Sequence, residues 1–435
     1  MKKRVVDGKN VELKQGRLFV EGEHRFLKIG KPLRNFSCTE EVDQLIADLD
    51  IIQSKNYNCL ELNCYWHHFD RTGDGLVDVD VEPLKRLIDE ICARGIFVSL
   101  SVETYGVGGG QIPDGYWKKY PDTIAVGVDG NQVSDIEFGY MSKVPSLYSA
   151  DYLRISRSYI VDLASKLDMS KILYCETTVE PQYMGDLAID YSPEARRAYE
   201  KWMVENCPDA QPFPDSYPIP QEFVYDPVWN RFRAEWLANW VSGDAAAFRA
   251  VAGADVWVAC EYLDADEPTM MNRCGDPIVF LKGLTAIDII QVNWHWHYGN
   301  RAPNLKAYQR INAAMELTGA EWAITEHMTI NGADYHAKEM NELLVNTLRN
   351  GSQFGWEFVD IAADRDDPAI TVGEVVPGDF KPAHFSVYDK DWNPKPPIAV
   401  VDDNWDLWME KIRLATAEKP WDTEGAQPAE PKPVL

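Results

Sequence analysis

The sequence has no apolar run approaching the length of a bilayer span, which sets aside a helical integral membrane protein. Its start, MKKRVVDGKN, is basic but lacks the apolar stretch of a secretory signal. A cytoplasmic location is therefore the expectation, with secretion the alternative if a leader has been removed. The eight cysteines show no framework spacing, and Cys59, Cys175 and Cys260 fall inside apolar runs, which reads as buried thiols rather than disulfides. Positive charge is scarce as well. Lys and Arg number 43 against 69 Asp and Glu, a net charge of −26, which argues against a nucleic-acid partner because phosphate binding depends on clustered basic residues. No glycine-rich phosphate loop follows the first predicted strand, and this weakens a dinucleotide-binding reading.

What is present is a core-forming chain. Hydrophobic residues make up 45% of 435 residues, enough for one large barrel or two smaller domains. Residues 11–26 carry two short strand patterns with Gly16 and Gly22 between them, a hairpin or small ribbon. Beyond it, apolar strands are predicted at 26–29, 59–64, 96–102, 172–175, 256–260, 289–292, 322–325 and 354–359. Helical spacing falls between them at 40–53, 82–93, 152–167, 227–251, 305–317, 337–348 and 405–414. Eight strands apolar on both faces, alternating with helices, predict a (β/α)8 TIM barrel with a small N-terminal β-hairpin and long loops on the catalytic face. The chain divides into the hairpin at 1–25, the barrel at 26–415 and a Pro-, Glu- and Ala-rich tail at 416–435. Two connections, 104–150 and 181–226, are longer than a barrel needs, and both follow strands.

Carboxylates cluster where these strands end. The runs EWAITEHMTI and KILYCETTVEP climb through apolar residues to Glu326 and Glu180, and an ionised carboxylate is costly to bury without a partner. Two such groups suggest a general acid/base and a nucleophile. Other strand ends supply Trp66 and His67, Glu103 and Tyr105, Glu176, Glu261, Asn293 with Trp294, Trp296, His297 and Tyr298, His327, and Trp356 with Glu357. Aromatic rings beside carboxylates and His suit a sugar, whose C–H face lies on a ring while its hydroxyls seek polar partners. Alternatives stand beside this reading. Glu326 could pair with an Arg such as Arg34, Glu176 could replace Glu180 as the acid, and Trp294, Trp296 and Trp356 could be core. His295 and His297 form an HxH pair without a carboxylate to complete a metal set. DRTGDGLVDVDVE faintly suggests a calcium loop, but its Glu falls one residue late. Neither a metal nor a cofactor is expected.

The chain resembles the clan A retaining glycoside hydrolases, most closely the family 42 β-galactosidases. The resemblance rests on NCLELNCYWHHFDRTGDGLVDV, on GYWKKYPDTIAVGVDGN, and on KILYCETTVEPQYMG followed by ARRAYEKWM and WNRFRAEWLANW in the family's order. FSVYDKDWNPKP is similar to the segment before the last barrel helix in related enzymes. The resemblance implies that Glu180 is the acid/base and Glu326 the nucleophile, with carboxyl groups about 5–5.5 Å apart. It implies that Trp356 is the aromatic floor, and that Tyr298 or His297 partners the nucleophile. The family's Asn before the acid/base is Val179 here, a departure that bears on recognition of the sugar's 2-hydroxyl. The activity implied is a β-galactosidase-like retaining β-glycosidase on a carbohydrate substrate, with an endo-acting glycanase or an inactive sugar-binding barrel as alternatives. The oligomeric state, a homo-oligomer included, is left open.

Overall fold

The structure, a computed structural model, describes residues 1–105, 112–133, 143–183, 189–264, 267–295, 305–329 and, with gaps, 343–361 and 387–418. The chain opens with a four-stranded antiparallel sheet, β1 (Lys2–Val6), β2 (Lys9–Lys14), β3 (Arg17–Val20) and β4 (Glu23–Arg25), where the sequence predicted a hairpin. Its turns, Asp7-Gly8, Gln15-Gly16 and Glu21-Gly22, hold positive φ at both central residues, the conformation whose twist matches paired strands.

Eight parallel strands then close a barrel: β5 (Leu27–Lys31), β6 (Cys59–Tyr65), β7 (Phe97–Glu103), β8 (Ile172–Glu176), β9 (Trp257–Leu263), β10 (Ile289–His295), β11 (Ala323–Thr329) and β12 (Gly355–Val359). This is the predicted (β/α)8 architecture. The seam between β12 and β5 is tight: a Cβ on Gly355 would lie 2.7 Å from the Leu27 carbonyl oxygen. Several strands extend past their predicted ends, because Glu103, Glu176 and Glu261 belong to β7, β8 and β9 rather than to the loops beyond them.

Two apolar layers hold the strands. Leu60, Val98, Val258, Ile290 and Ile324 face outward against the helices. Leu27, Ile29, Cys59, Phe97, Ala259, Ile289 and Ala323 face inward and meet Val6, Val11, Leu13 and Leu18 of the N-terminal sheet, so that sheet plugs the bottom of the barrel. Helices form where apolar stripes and caps coincide. Asp226 accepts from the backbone N–H groups of Val228 and Trp229 to start Pro227–Ala252, with proline at the first helical position. The last helix spans Pro396–Glu418, longer than predicted, so the predicted tail at 416–435 begins as helix; residues 419–435 lie outside those described.

Candidate functional site

Above the inward apolar layer the barrel interior turns polar, and its centre is Lys31, the last residue of β5. The Lys31 ammonium lies 3.1 Å from Glu61, 3.7 Å from Glu176 and 3.9 Å from each of Glu103, Glu261 and Glu357. Period-two alternation aims these residues inward: Ile29, Cys59, Tyr174 and Ala259 of the interior layer lie two residues before Lys31, Glu61, Glu176 and Glu261, and Phe97 lies six before Glu103. Hydrogen bonds knit the group. Tyr174 donates to Glu61 at 2.8 Å, and Gln291 donates to Glu357 at 2.5 Å and to Glu61 at 3.3 Å. Ser101 Oγ lies 3.1 Å from Glu176 and 3.3 Å from Glu103, while the Asn63 amide donates to Glu103.

Glu180 reaches the same cluster from the loop after β8, in a left-handed backbone conformation with φ 44°. The Asn293 amide nitrogen lies 3.2 Å from an oxygen of Glu180 and 3.2 Å from an oxygen of Glu261. Burial, then the charges of Glu261 and Glu103, raise the Glu180 carboxyl well above the ordinary range. Burial does the same for Glu176 and Glu357, with Glu261 and Glu61 respectively adding to it, and pushes Glu103 up to about 8. For Lys31, burial works against its charge, yet Glu61, Glu176, Glu357 and Glu103 together raise it well above its usual value. Lys31 is therefore held protonated, while burial favours the protonated form of Glu103, Glu176, Glu180 and Glu357.

The residues implicated by sequence divide accordingly. Glu103, Glu176, Glu180, Glu261, Asn293 and Glu357 come together. Glu326 does not join them. It shares the β11 face of Ile324 and pairs across with Val292 and Trp356, residues of the barrel–helix layer. Its carboxyl is pushed up to about 8 by burial, and among the described residues no neighbouring charge contributes. Trp356 lies on that outer face too, edge-on to Phe26 at 4.8 Å and Trp408 at 5.7 Å, donating to Thr347 at 2.8 Å; it is core, not floor. Trp66 stacks on Tyr159 and donates to Asp70, and Tyr105 packs on Trp240, so both are also core. Arg34 pairs with Asp48 rather than Glu326. His67, half-buried, stacks on Tyr65. Trp296, His297 and Tyr298, and the side chains of Trp294, His295 and His327, lie outside the described residues.

Lys31, Glu61, Asn63 and Gln291 were missed by sequence reasoning. The signal was there in part, since Lys31 and Glu61 are charged residues set inside apolar runs. The acidic loop after β6 is explained without an ion: Asp70 is fully buried and accepts from the backbone N–H groups of Gly73 and Gly75, each at 2.7 Å. Among the described residues no group of three or more His, Cys, Asp or Glu has the arrangement to hold a metal ion.

No protein-family model matches the chain, and no curated protein matches it. Solved structures do. The chain is similar to a β-galactosidase from the psychrophilic Marinomonas ef1 at TM-score 0.65 and 12% identity, covering 89% of this chain and 60% of that one. A catalytic mutant of a GH42 β-galactosidase from G. stearothermophilus matches at TM-score 0.62 and 14% identity, covering 89% and 57%. The catalytic domain of a β-amylase from Paenibacillus polymyxa matches at TM-score 0.60 and 10% identity, covering 91% and 99%. The likeness is one of fold, the (β/α)8 barrel found among glycoside hydrolases. It extends to β-galactosidases and a β-amylase alike and does not single out family 42. The chain spans about 60% of the length of the β-galactosidases it matches.

Proposed function

We propose that this chain is a glycoside hydrolase, a retaining β-glycosidase acting on terminal β-linked sugars, with Glu180 as acid/base and Glu261 as nucleophile. The observation that carries this reading is the Asn293 amide, one nitrogen 3.2 Å from both carboxylates. A single amide serves two carboxyls only when they are near neighbours. That favours the separation of about 5–5.5 Å used in double displacement over the 6.5–9.5 Å that leaves room for an intervening water.

The electrostatics support opposite protonation states. Burial and the charge of Glu261 raise the Glu180 carboxyl well above the ordinary range, the direction a general acid requires. Glu261 has the Lys31 ammonium at 3.9 Å and the Asn293 amide to stabilise its anion. In the first step Glu261 attacks the anomeric carbon while Glu180 gives its proton to the leaving oxygen. Once Glu261 is esterified its charge is gone, so Glu180 loses a carboxylate neighbour and becomes the base that takes a proton from water. The long connections after β7 and β8 support a walled pocket and exo action. A sugar-binding barrel without turnover is the second reading, favoured by Val179, buried where the resembled family has Asn.

The test is azide rescue on dinitrophenyl β-glycosides. Glu261→Ala should be almost inactive and, with azide, give the α-glycosyl azide. Glu180→Ala should keep its first step and give the β-azide, while Glu326→Gln stays within a few-fold of wild type. An α-azide from Glu326→Ala, with Glu261→Ala still active, would return the nucleophile's role to Glu326. Sugar binding by a wild-type protein that hydrolyses no β-glycoside would favour the second reading.

A further inference from the structure

We infer that Tyr183 positions the Glu180 carboxyl in the barrel cluster, by fastening the segment after β8 to the helices Pro227–Ala252 and Glu267–Cys274. For turnover this rests on the glycosidase reading; the positioning itself does not. The first observation is backbone strain. Glu180 has φ 44°, a left-handed conformation that is costly for a residue with a Cβ and persists only where the surroundings impose it. Pro181 follows, and a residue before proline favours an extended backbone instead. Asn293 reaches the Glu180 side chain at 3.2 Å, but the strained backbone needs its own anchor.

The second observation is where that anchor lies. Three residues beyond Glu180, Tyr183 is 1% exposed and is held at its backbone, its ring and its hydroxyl. Its backbone N–H donates to the Arg273 carbonyl oxygen at 2.6 Å, in the helix that follows the strand of Glu261. Its ring centre lies 4.3 Å from the guanidinium of Arg233, a buried cation against an aromatic face. Its hydroxyl donates to the Arg233 carbonyl oxygen at 3.0 Å and, with that proton engaged, accepts from the Tyr148 hydroxyl at 2.7 Å. Arg233 also donates to the carbonyl oxygens of Met271 and Asn272, at 2.6 and 2.5 Å, so one frame holds both the Tyr183 ring and the segment its N–H meets. Burial, then Glu261 and Glu103, raise the Glu180 carboxyl, while Lys31 and Arg273 oppose them. All of these influences depend on where the carboxyl stands. Loosening Tyr183 lets Glu180 move towards solvent and away from Glu261, so its proton leaves at lower pH and is poorly placed for a leaving oxygen.

Two measurements on the full chain test this. Tyr183→Leu removes ring and hydroxyl, whereas Tyr183→Phe keeps the ring beside Arg233. The first measurement is kcat/KM on phenyl and dinitrophenyl β-glycosides of the sugar that the wild-type protein hydrolyses fastest. A phenolate needs the proton from Glu180 and a dinitrophenolate does not. Since a positioned acid supplies roughly 10²–10⁴-fold, Tyr183→Leu should lose at least about tenfold on the phenyl glycoside and no more than about threefold on the dinitrophenyl one. Tyr183→Phe should recover part of that difference, and the alkaline limb of the phenyl glycoside's pH profile should move to lower pH in both. The second measurement needs no turnover. It is a carbon NMR titration of glutamate carboxyls, with the Glu180 signal assigned by its loss in Glu180→Gln. Glu180 should titrate lowest in Tyr183→Leu, with Tyr183→Phe between it and wild type. If Tyr183→Leu does not fold, Tyr183→Phe alone must show both changes in the same direction. Equal losses on the two glycosides with an unmoved Glu180 titration overturn the positioning role and leave the glycosidase reading intact. A lowered Glu180 titration in a protein whose wild type hydrolyses neither glycoside supports the positioning while removing the glycosidase.

Discussion

A carboxyl group buried without a countercharge keeps its proton, and Glu326, at 1% exposure, has no cation paired with it among the described residues. Burial pushes it up to about 8. Because its folded-state value lies above the unfolded one, its favourable contribution is full below about pH 4.3 and is lost as pH rises towards 8. Stability should therefore fall across that window, and Glu326→Gln should flatten the fall. Urea midpoints at pH 5 and pH 8 check this: the variant should gain relative to wild type at pH 8 by up to a few kcal/mol, at about 1.4 kcal/mol per pH unit. Trp356 tests the same face differently. Its ring is wedged among Phe26, Trp405 and Trp408, so Trp356→Ala should cost about 3–5 kcal/mol of stability. KM for a glycoside should change little in whatever fraction folds. A large rise in KM with unchanged urea midpoint would put Trp356 back beneath a sugar.

At the scale of elements, β5 shows how one strand serves two layers. Lys31 points inward to the carboxylates, while Lys28, three residues earlier, points outward. Its ammonium lies 2.5 Å from Asp402 and 2.8 Å from the Lys55 carbonyl oxygen, and 4.5 Å from the centre of the Tyr57 ring. Burial lowers the Lys28 ammonium's affinity for its proton and Asp402 opposes that, so the pair ties the helix Pro396–Glu418 to the barrel. Asp402→Ala should leave a buried cation and cost about 3–5 kcal/mol. Lys28→Met combined with Asp402→Leu should recover much of that loss. Hydrogen exchange of residues 396–418 reads the effect directly, with protection lost in the single variant and largely regained in the double. The strands themselves were legible as apolar runs, and their order follows from alternation with helices. Their ends were not. A charge such as Glu103 or Glu176 reads as the exit from a strand, yet both are the last residues of strands, carried there by a polar barrel interior.

The whole molecule carries a net charge of −26 and also gathers carboxylates inside its barrel. Self-repulsion of that size opposes the compact state and is screened by salt. The melting temperature should rise between roughly 0.05 M and 1 M sodium chloride, where the Debye length falls to about 3 Å. An unchanged or falling melting temperature would mean that paired surface charges dominate instead. The sequence by itself determined the architecture, because eight doubly apolar strands alternating with amphipathic helices bury their surface well as a closed, helix-covered barrel. It also determined that carboxylates would gather near strand ends. Only the tertiary structure decided which of them meet. A strand buried on both faces has no polar–apolar alternation to show which way a given residue points, so Glu326 and Glu261 look alike in sequence. Closure of the barrel fixes the register, and one residue of register separates a carboxyl facing Lys31 from one facing the helices.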